Sequence, residues 1–366
     1  MIFNRSFSLV FLATFFFFAS FYLILPVMPR YVMSLGGQEV AVGLVMGFFT
    51  ISAVIARPFV GRFVDRRGCR VMISSGSALF CISPLLYMHF ENLEAIYLIR
   101  ILHGLGIASF TVGATTLVSQ TAPLESRGEV LGFYTISTII AMALFPWAGD
   151  ILARYSYQYV FIVSSLLALL SLLLSFFVSD YVGEKEEGAI FSTFLIVPTL
   201  TIFLVASSYG AIVSFIPLMT GRVGAFYFLY AFSVIVSRIT LVGLSDKIGR
   251  RKIINPALIV TALGILLLKG GNEVLISLAA IIYGIGFGTA YPTLNVLIVD
   301  KLKRRAEALS IFSAAFDGGI ACGSIILGAV AQFLGFSAMV LCASSAVMLG
   351  FFVFSLSSRG WGEEKL

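Results

Sequence analysis

Long apolar stretches alternate with short polar breaks along the entire chain. Read as spans, they cover residues 8–30, 40–62, 71–90, 94–120, 128–152, 158–179, 190–219, 224–244, 253–269, 274–299, 306–332 and 335–357. Each is close to the roughly 20 apolar residues that a helix needs to cross a hydrocarbon core. The runs are continuous and do not alternate every second residue, so they predict spanning helices and not barrel strands. The first run is preceded by Arg5 and extends from Phe7 to Met28 without a small-residue cleavage site. It is expected to be an uncleaved first helix.

Composition sharpens this picture. Hydrophobic residues make up 59% of the chain and charged residues 11%. A water-facing shell takes about 25% charged residues, so this surface must meet lipid. Twelve spans with short loops use up the 366 residues and leave no room for a sizeable soluble domain. The net charge of +6 does not point to nucleic acid, because the basic residues sit in short runs between apolar stretches, where they set membrane orientation. The four cysteines form no C-x-x-C pair, so neither a disulfide framework nor a zinc site is expected, and no metal or cofactor.

The breaks alternate in charge. Arg5, the Arg62–Arg70 cluster, Arg127, Lys185, the Lys247–Lys252 cluster, the Lys301–Arg305 cluster, Arg359 and Lys365 fall on one side; Arg30, Arg154, Arg222 and Lys269 fall on the other. The basic side is expected in the cytoplasm, with both termini there and an even helix count. The acidic break near the chain midpoint (Asp180, Glu184, Glu186, Glu187) reads as a linker over 181–189 between an N-terminal six-helix bundle, 1–180, and a C-terminal one, 190–366.

Those halves look like copies. Arg57, Asp65 and Gly68 recur as Arg238, Asp246 and Gly249; Gly104 and Gly106 recur as Gly284 and Gly286; Arg127 and Glu129 recur as Arg305 and Glu307. The fold class is therefore an all-α membrane protein of twelve transmembrane helices in two parallel six-helix repeats. In transporters of that build the substrate lies near mid-bilayer and the halves rock around it. Over essentially its whole length the chain resembles the major facilitator superfamily, and its motifs are most similar to those of twelve-helix drug or solute:proton antiporters. The residues carrying the resemblance are Gly61-Arg-Phe-Val-Asp65-Arg66-Arg67-Gly68-Cys-Arg70 with its echo at Asp246, Gly249 and Arg250, the fourth-helix stretch Arg100-Ile-Leu-His103-Gly104, and Tyr209 to Pro217. Gly243 departs from the first copy by standing one place late. Pro146-Trp-Ala-Gly149 resembles the fifth-helix antiporter motif only weakly, since Phe145 stands where that motif has glycine. The resemblance implies that Asp65 meets the start of the eleventh helix and latches the outward-facing state; the local alternative is that it offsets its own arginines.

Ionisable residues inside spans are costly and suggest function. Arg57, Arg100, Arg238 and Asp317 fall on the second, fourth, eighth and eleventh helices. Asp317 is the one acid expected deep within a span, a place to take up and release a proton, flanked by Gly318, Gly319 and Gly323. Arg100 and His103 share the fourth helix and join it as proton-coupling candidates; a packed histidine and an interfacial arginine are the bland alternatives. Arg57 and Arg238 are read as snorkelling to the cytoplasmic face. Tyr22, Tyr134, Tyr209, Tyr283 and Tyr291 are candidate cavity contacts, each of them alone equally readable as packing. No catalytic cluster or phosphate loop appears, so an enzyme is not expected. The expected activity is proton-coupled export of a small apolar or amphipathic solute across the plasma membrane by a monomer whose partners are lipid, solute and protons; uptake or facilitated diffusion of an organic anion or sugar is the alternative.

Overall fold

The computed structural model describes residues 5–122, 127–180, 193–301 and 305–357. The expected linker at 181–189 and the side chains of Asp65 and Asp246 lie outside the described residues. Among those described, twelve helices are long and apolar enough to cross a membrane. They are α1 (Arg5–Ser34), α2 (Glu39–Arg67), α3 (Cys69–His89), α4 (Leu93–Thr121), α5 (Arg127–Tyr155), α6 (Tyr157–Ser175), α7 (Thr193–Met219), α8 (from Val223–Ser237 on to Gly243–Ile248), α9 (Arg250–Leu267), α10 (Glu273–Lys301), α11 (Arg305–Leu334) and α12 (Phe336–Ser357).

Local chemistry sets the ends of these helices. Asn92 and Asn272 each cap a helix, accepting from the backbone N–H three residues on at 2.8 Å, ahead of α4 and α10. Ser156 caps α6 through the N–H of Gln158 at 3.1 Å. Gly68 (φ +88°) and Gly249 (φ +98°) turn the chain between α2 and α3 and between α8 and α9. Both lie in the left-handed region that glycine alone enters without strain. Helix α1 breaks after Ile24 and resumes at Met28; Pro26 lacks an N–H donor within that break, and Pro29 stands in the first turn of the resumed helix, where the missing donor costs nothing.

The chain forms two compact units, Met1–Gly37 with Phe48–Glu187, and Gln38–Gly47 with Gly188–Leu366. The first turns of α2 thus group with the second unit. There the Val40 N–H donates to Gln332 Oε1 at 3.1 Å, and a Cβ at Gly43 would collide with the Ser324 carbonyl. Within the first unit α1 packs on α5 and α6, and α3 on α4 and α6. Within the second, α7 packs on α11 and α12, and α9 on α10 and α12. Lipid supplies no hydrophobic drive between helices, so small residues and short polar bonds hold them. A ladder of Ser74–Ser175 (2.8 Å), Ser77–Ser171 (3.0 Å) and Cys81–Ser165 (3.4 Å) joins α3 to α6, and Ser20–Ser164 (2.8 Å) joins α1 to α6. Ile55, Phe59, Leu98, Leu166 and Phe352 point outward, as a lipid-facing surface requires.

The repeat is stereochemical as well as sequential. A Cβ at Gly104 would meet the Phe49 carbonyl and the Ser52 hydroxyl; a Cβ at Gly284 would meet the Tyr230 carbonyl and Ser233 Cβ, both at 2.8 Å. Likewise Gly106 faces Phe80, and Gly286 faces Thr261. Each pair of partners is related by the same sequence shift as the signature turns, so α2–α4 and α8–α10 close on the same glycines.

Candidate functional site

In the first unit, the three-residue step from Arg100 to His103 puts both on one face of α4. That face looks into a sealed aromatic core. Arg100 is 2% exposed and His103 fully buried. The guanidinium carbon lies 5.5 Å from the Phe49 ring centre on α2 and 5.6 Å from that of Tyr87 on α3. The His103 ring stands edge-on to Phe80 at 4.0 Å and to Phe49 at 5.7 Å. Its Nδ1 is 3.3 Å from the Tyr87 hydroxyl. The Tyr31 hydroxyl, in the second piece of α1 beyond the break, donates to the Tyr87 carbonyl at 2.9 Å. Arg100 Nε and His103 Nε2 are buried and meet no hydrogen-bonding atom among the described residues.

Sequence reasoning missed Asp150. It lies in α5, is only 3% exposed, and accepts from Arg30 at 2.7 Å and from Arg154 at 3.2 Å. Beside it, a Cβ at Gly149 would collide with the Leu23 carbonyl of α1. The kinked end of α1 is thus fixed to α5 by backbone contact and by an ion pair. The i,i+4 spacing of Asp150 and Arg154 was available as a signal, but the partner that matters, Arg30, is 120 residues away.

In the second unit, Tyr283, Phe287 and Tyr291 recur every four residues along α10 and share a face. Their rings lie nearly parallel, at 5.5 and 6.3 Å. Tyr209 of α7 stacks on Phe287 at 5.0 Å, Tyr230 of α8 on Tyr283 at 5.7 Å, and Phe316 of α11 approaches Tyr291 at 4.8 Å. Asp317 follows Phe316 directly and is half-buried, and the next turn packs through Gly319 against the Phe203 carbonyl of α7. The structure therefore joins three of the five candidate tyrosines, Tyr209, Tyr283 and Tyr291, in one panel. The other two lie in the first unit. Tyr134 accepts a hydrogen bond from Thr14 at 3.2 Å, and Tyr22 packs on Phe18 and Phe21. Of the proton-coupling candidates, Arg100 and His103 come together, while Asp317 belongs to the other unit.

At the signature turns, Arg66 and Arg70 are exposed and Gly61 has open space beside it. The Asp180 carboxylate crowds Gly68 and accepts from the Arg70 N–H at 3.1 Å, capping α3 from outside its own sequence. Gly249 has open space instead, and Arg250 donates to Ser245 at 2.5 Å. The late Gly243 directly follows a π-helical turn, Arg238–Val242, and has open space beside it, while Asp246 and Gly249 keep the register of the first copy.

Comparison with known proteins matches the family description Major Facilitator Superfamily to residues 10–224 and 188–360. The chain is 25% identical to an uncharacterized MFS-type transporter of Methanocaldococcus jannaschii, over 86% of this chain and 88% of that one. It is 26% identical to the multidrug resistance protein MdtG of Salmonella paratyphi A, over 97% and 95%. Among solved structures, a variant of the nucleoside transporter NupG superposes with a TM-score of 0.81 at 14% identity, covering 96% of this chain and 99% of that one. The human organic anion transporter MFSD10 superposes at 0.74 with 15% identity, covering 95% and 98%. At such identities these two structures speak to the fold alone.

Proposed function

The chain belongs to the Major Facilitator Superfamily, and on that premise we propose that it exports a small apolar or amphipathic solute in exchange for protons. It is a multi-pass membrane transporter of the cell membrane and not an enzyme. The observation that carries the finer reading is the stacked panel of Tyr209, Tyr230, Tyr283, Phe287, Tyr291 and Phe316 adjoining Asp317. Ring faces bind flat or greasy solutes with little demand for fixed polar groups. A carboxyl within a span is suited to holding a transferable proton. Relatives named as multidrug resistance proteins support the outward direction. The basic signature turns belong in the cytoplasm, and the two six-helix units, 1–180 and 190–366, alternate access as a monomer.

The test uses inside-out vesicles loaded by an imposed pH gradient, with a fluorescent hydrophobic dye as the transported probe. Dye accumulation driven by internal acid is expected, and Asp317→Asn abolishes the pH-driven component. Undiminished pH-driven accumulation in Asp317→Asn removes Asp317 from the coupling step. Movement of dye only in the opposite direction replaces export by uptake.

A further inference from the structure

Among the described residues, Arg100 is a buried cation without an anion. Its guanidinium has no carboxylate within ion-pair distance among the described residues, and its nearest charge-stabilising neighbours are the ring faces of Phe49 and Tyr87. Cation–π contacts return part of the cost of taking a charge out of water. The full desolvation of a charged side chain exceeds what such contacts return. The two rings do not close that gap, and Arg100 Nε has no acceptor.

The molecule contains its own control. The repeat places Ala280 where Arg100 stands and Tyr283 where His103 stands. The second unit builds the same interface from these neutral residues, with Gly284 on Tyr230 and Ser233 just as Gly104 sits on Phe49 and Ser52. Packing of this helix pair therefore does not call for a guanidinium. A second polar atom lies in the same core: His103 Nε2 is buried and unpartnered among the described residues, one turn along α4, beside the same Phe49 and Tyr87 rings, and it is a donor in the tautomer whose Nδ1 accepts from the Tyr87 hydroxyl.

We propose that Arg100 and His103 form a binding site for a compact, singly charged anion between α2, α3 and α4 of the first unit. The anion supplies the acceptor that Arg100 Nε and His103 Nε2 lack. Two sources share this chemistry: the carboxylate of an amphipathic solute, or a free inorganic anion such as chloride. The inference is independent of transport direction and of Asp317. It widens the solute class from neutral amphiphiles to aromatic acids.

The purified full-length chain is melted in detergent with rising benzoate or rising chloride, each against sulfate at matched ionic strength. The wild type is expected to gain a saturable upward shift in melting temperature. Arg100→Met is expected to lose the saturable shift and, in sulfate, to melt at or above the wild type, because an uncompensated buried charge has been exchanged for an apolar chain of similar length. Arg100→Lys is expected to keep the shift at higher anion concentration, since one point charge replaces a fork of donors. A response to benzoate alone assigns the site to the solute's carboxylate; a response to chloride assigns it to an inorganic ion. Two results overturn the proposal. One is an Arg100→Met protein that melts several degrees lower in sulfate or does not fold, which makes the guanidinium a structural group. The other is a wild type with no saturable shift in either anion beyond that of Arg100→Met.

Discussion

Breaking the Arg30–Asp150 pair should cost more when Arg30 is removed than when Asp150 is. Asp150 is 3% exposed, Arg30 28% and Arg154 66%. Replacing Arg30 by glutamine leaves a buried carboxylate whose remaining partner is Arg154, at 3.2 Å and largely in solvent. An exposed partner of that kind contributes about 0–1 kcal/mol. Orphaning a buried charge costs about 3–5 kcal/mol. With the residual help of Arg154 subtracted, Arg30→Gln is expected near 3 kcal/mol, at the low end of that range. Replacing Asp150 by asparagine removes the buried charge itself. Arg30 and Arg154 then turn to water or headgroups, and what disappears is one charge-assisted hydrogen bond, about 1.5–3 kcal/mol. Arg30→Gln should therefore destabilise more than Asp150→Asn. The double variant should resemble Asp150→Asn alone, so the coupling energy should match the Arg30→Gln loss, about 3 kcal/mol. Reversible unfolding of the three variants in mixed micelles, followed by circular dichroism, measures each term. Additive effects, or a larger loss for Asp150→Asn, would refute the claim that burial of the carboxylate sets the energetics of this contact.

The glycine contacts make a second pair of expectations. Gly104→Val drives a side chain into the Phe49 carbonyl and the Ser52 hydroxyl and should abolish folded protein, whereas Gly132→Ala, in open space on α5, should stay within about 0.5 kcal/mol of wild type; size-exclusion profiles and melting curves separate the two. The matched caps predict matched costs: Asn92→Ala and Asn272→Ala should each lose about 1 kcal/mol, and unequal losses by more than twofold would show that the repeat does not carry its energetics along with its geometry.

The twelve helices could be read from the chain because lipid imposes a one-dimensional rule: each crossing needs some 20 apolar residues whatever its neighbours are. The repeat could be read for a related reason. Gly104 and Gly284 recur at a shift of 180 residues and Gly68 and Gly249 at 181, and the family resemblance draws on Gly68, Gly104 and Gly249. What the sequence left open is which face of each helix meets which partner. Hydropathy is nearly uniform around a span in lipid, so it does not distinguish a residue facing the bilayer from one facing another helix. Arg100 could thus be placed inside the fourth helix, but its position between Phe49 and Tyr87 depends on the packing of α2, α3 and α4. Asp150 offers the chain only its i,i+4 neighbour Arg154, and it is folding that brings Arg30 to it across the kink of α1. Three tyrosines became one panel, and two did not, because only tertiary packing decides which rings stack. Spacing along the chain determines the helices and their kinship, while the pairing of charges and rings is a property of distances that the chain acquires only once it has folded.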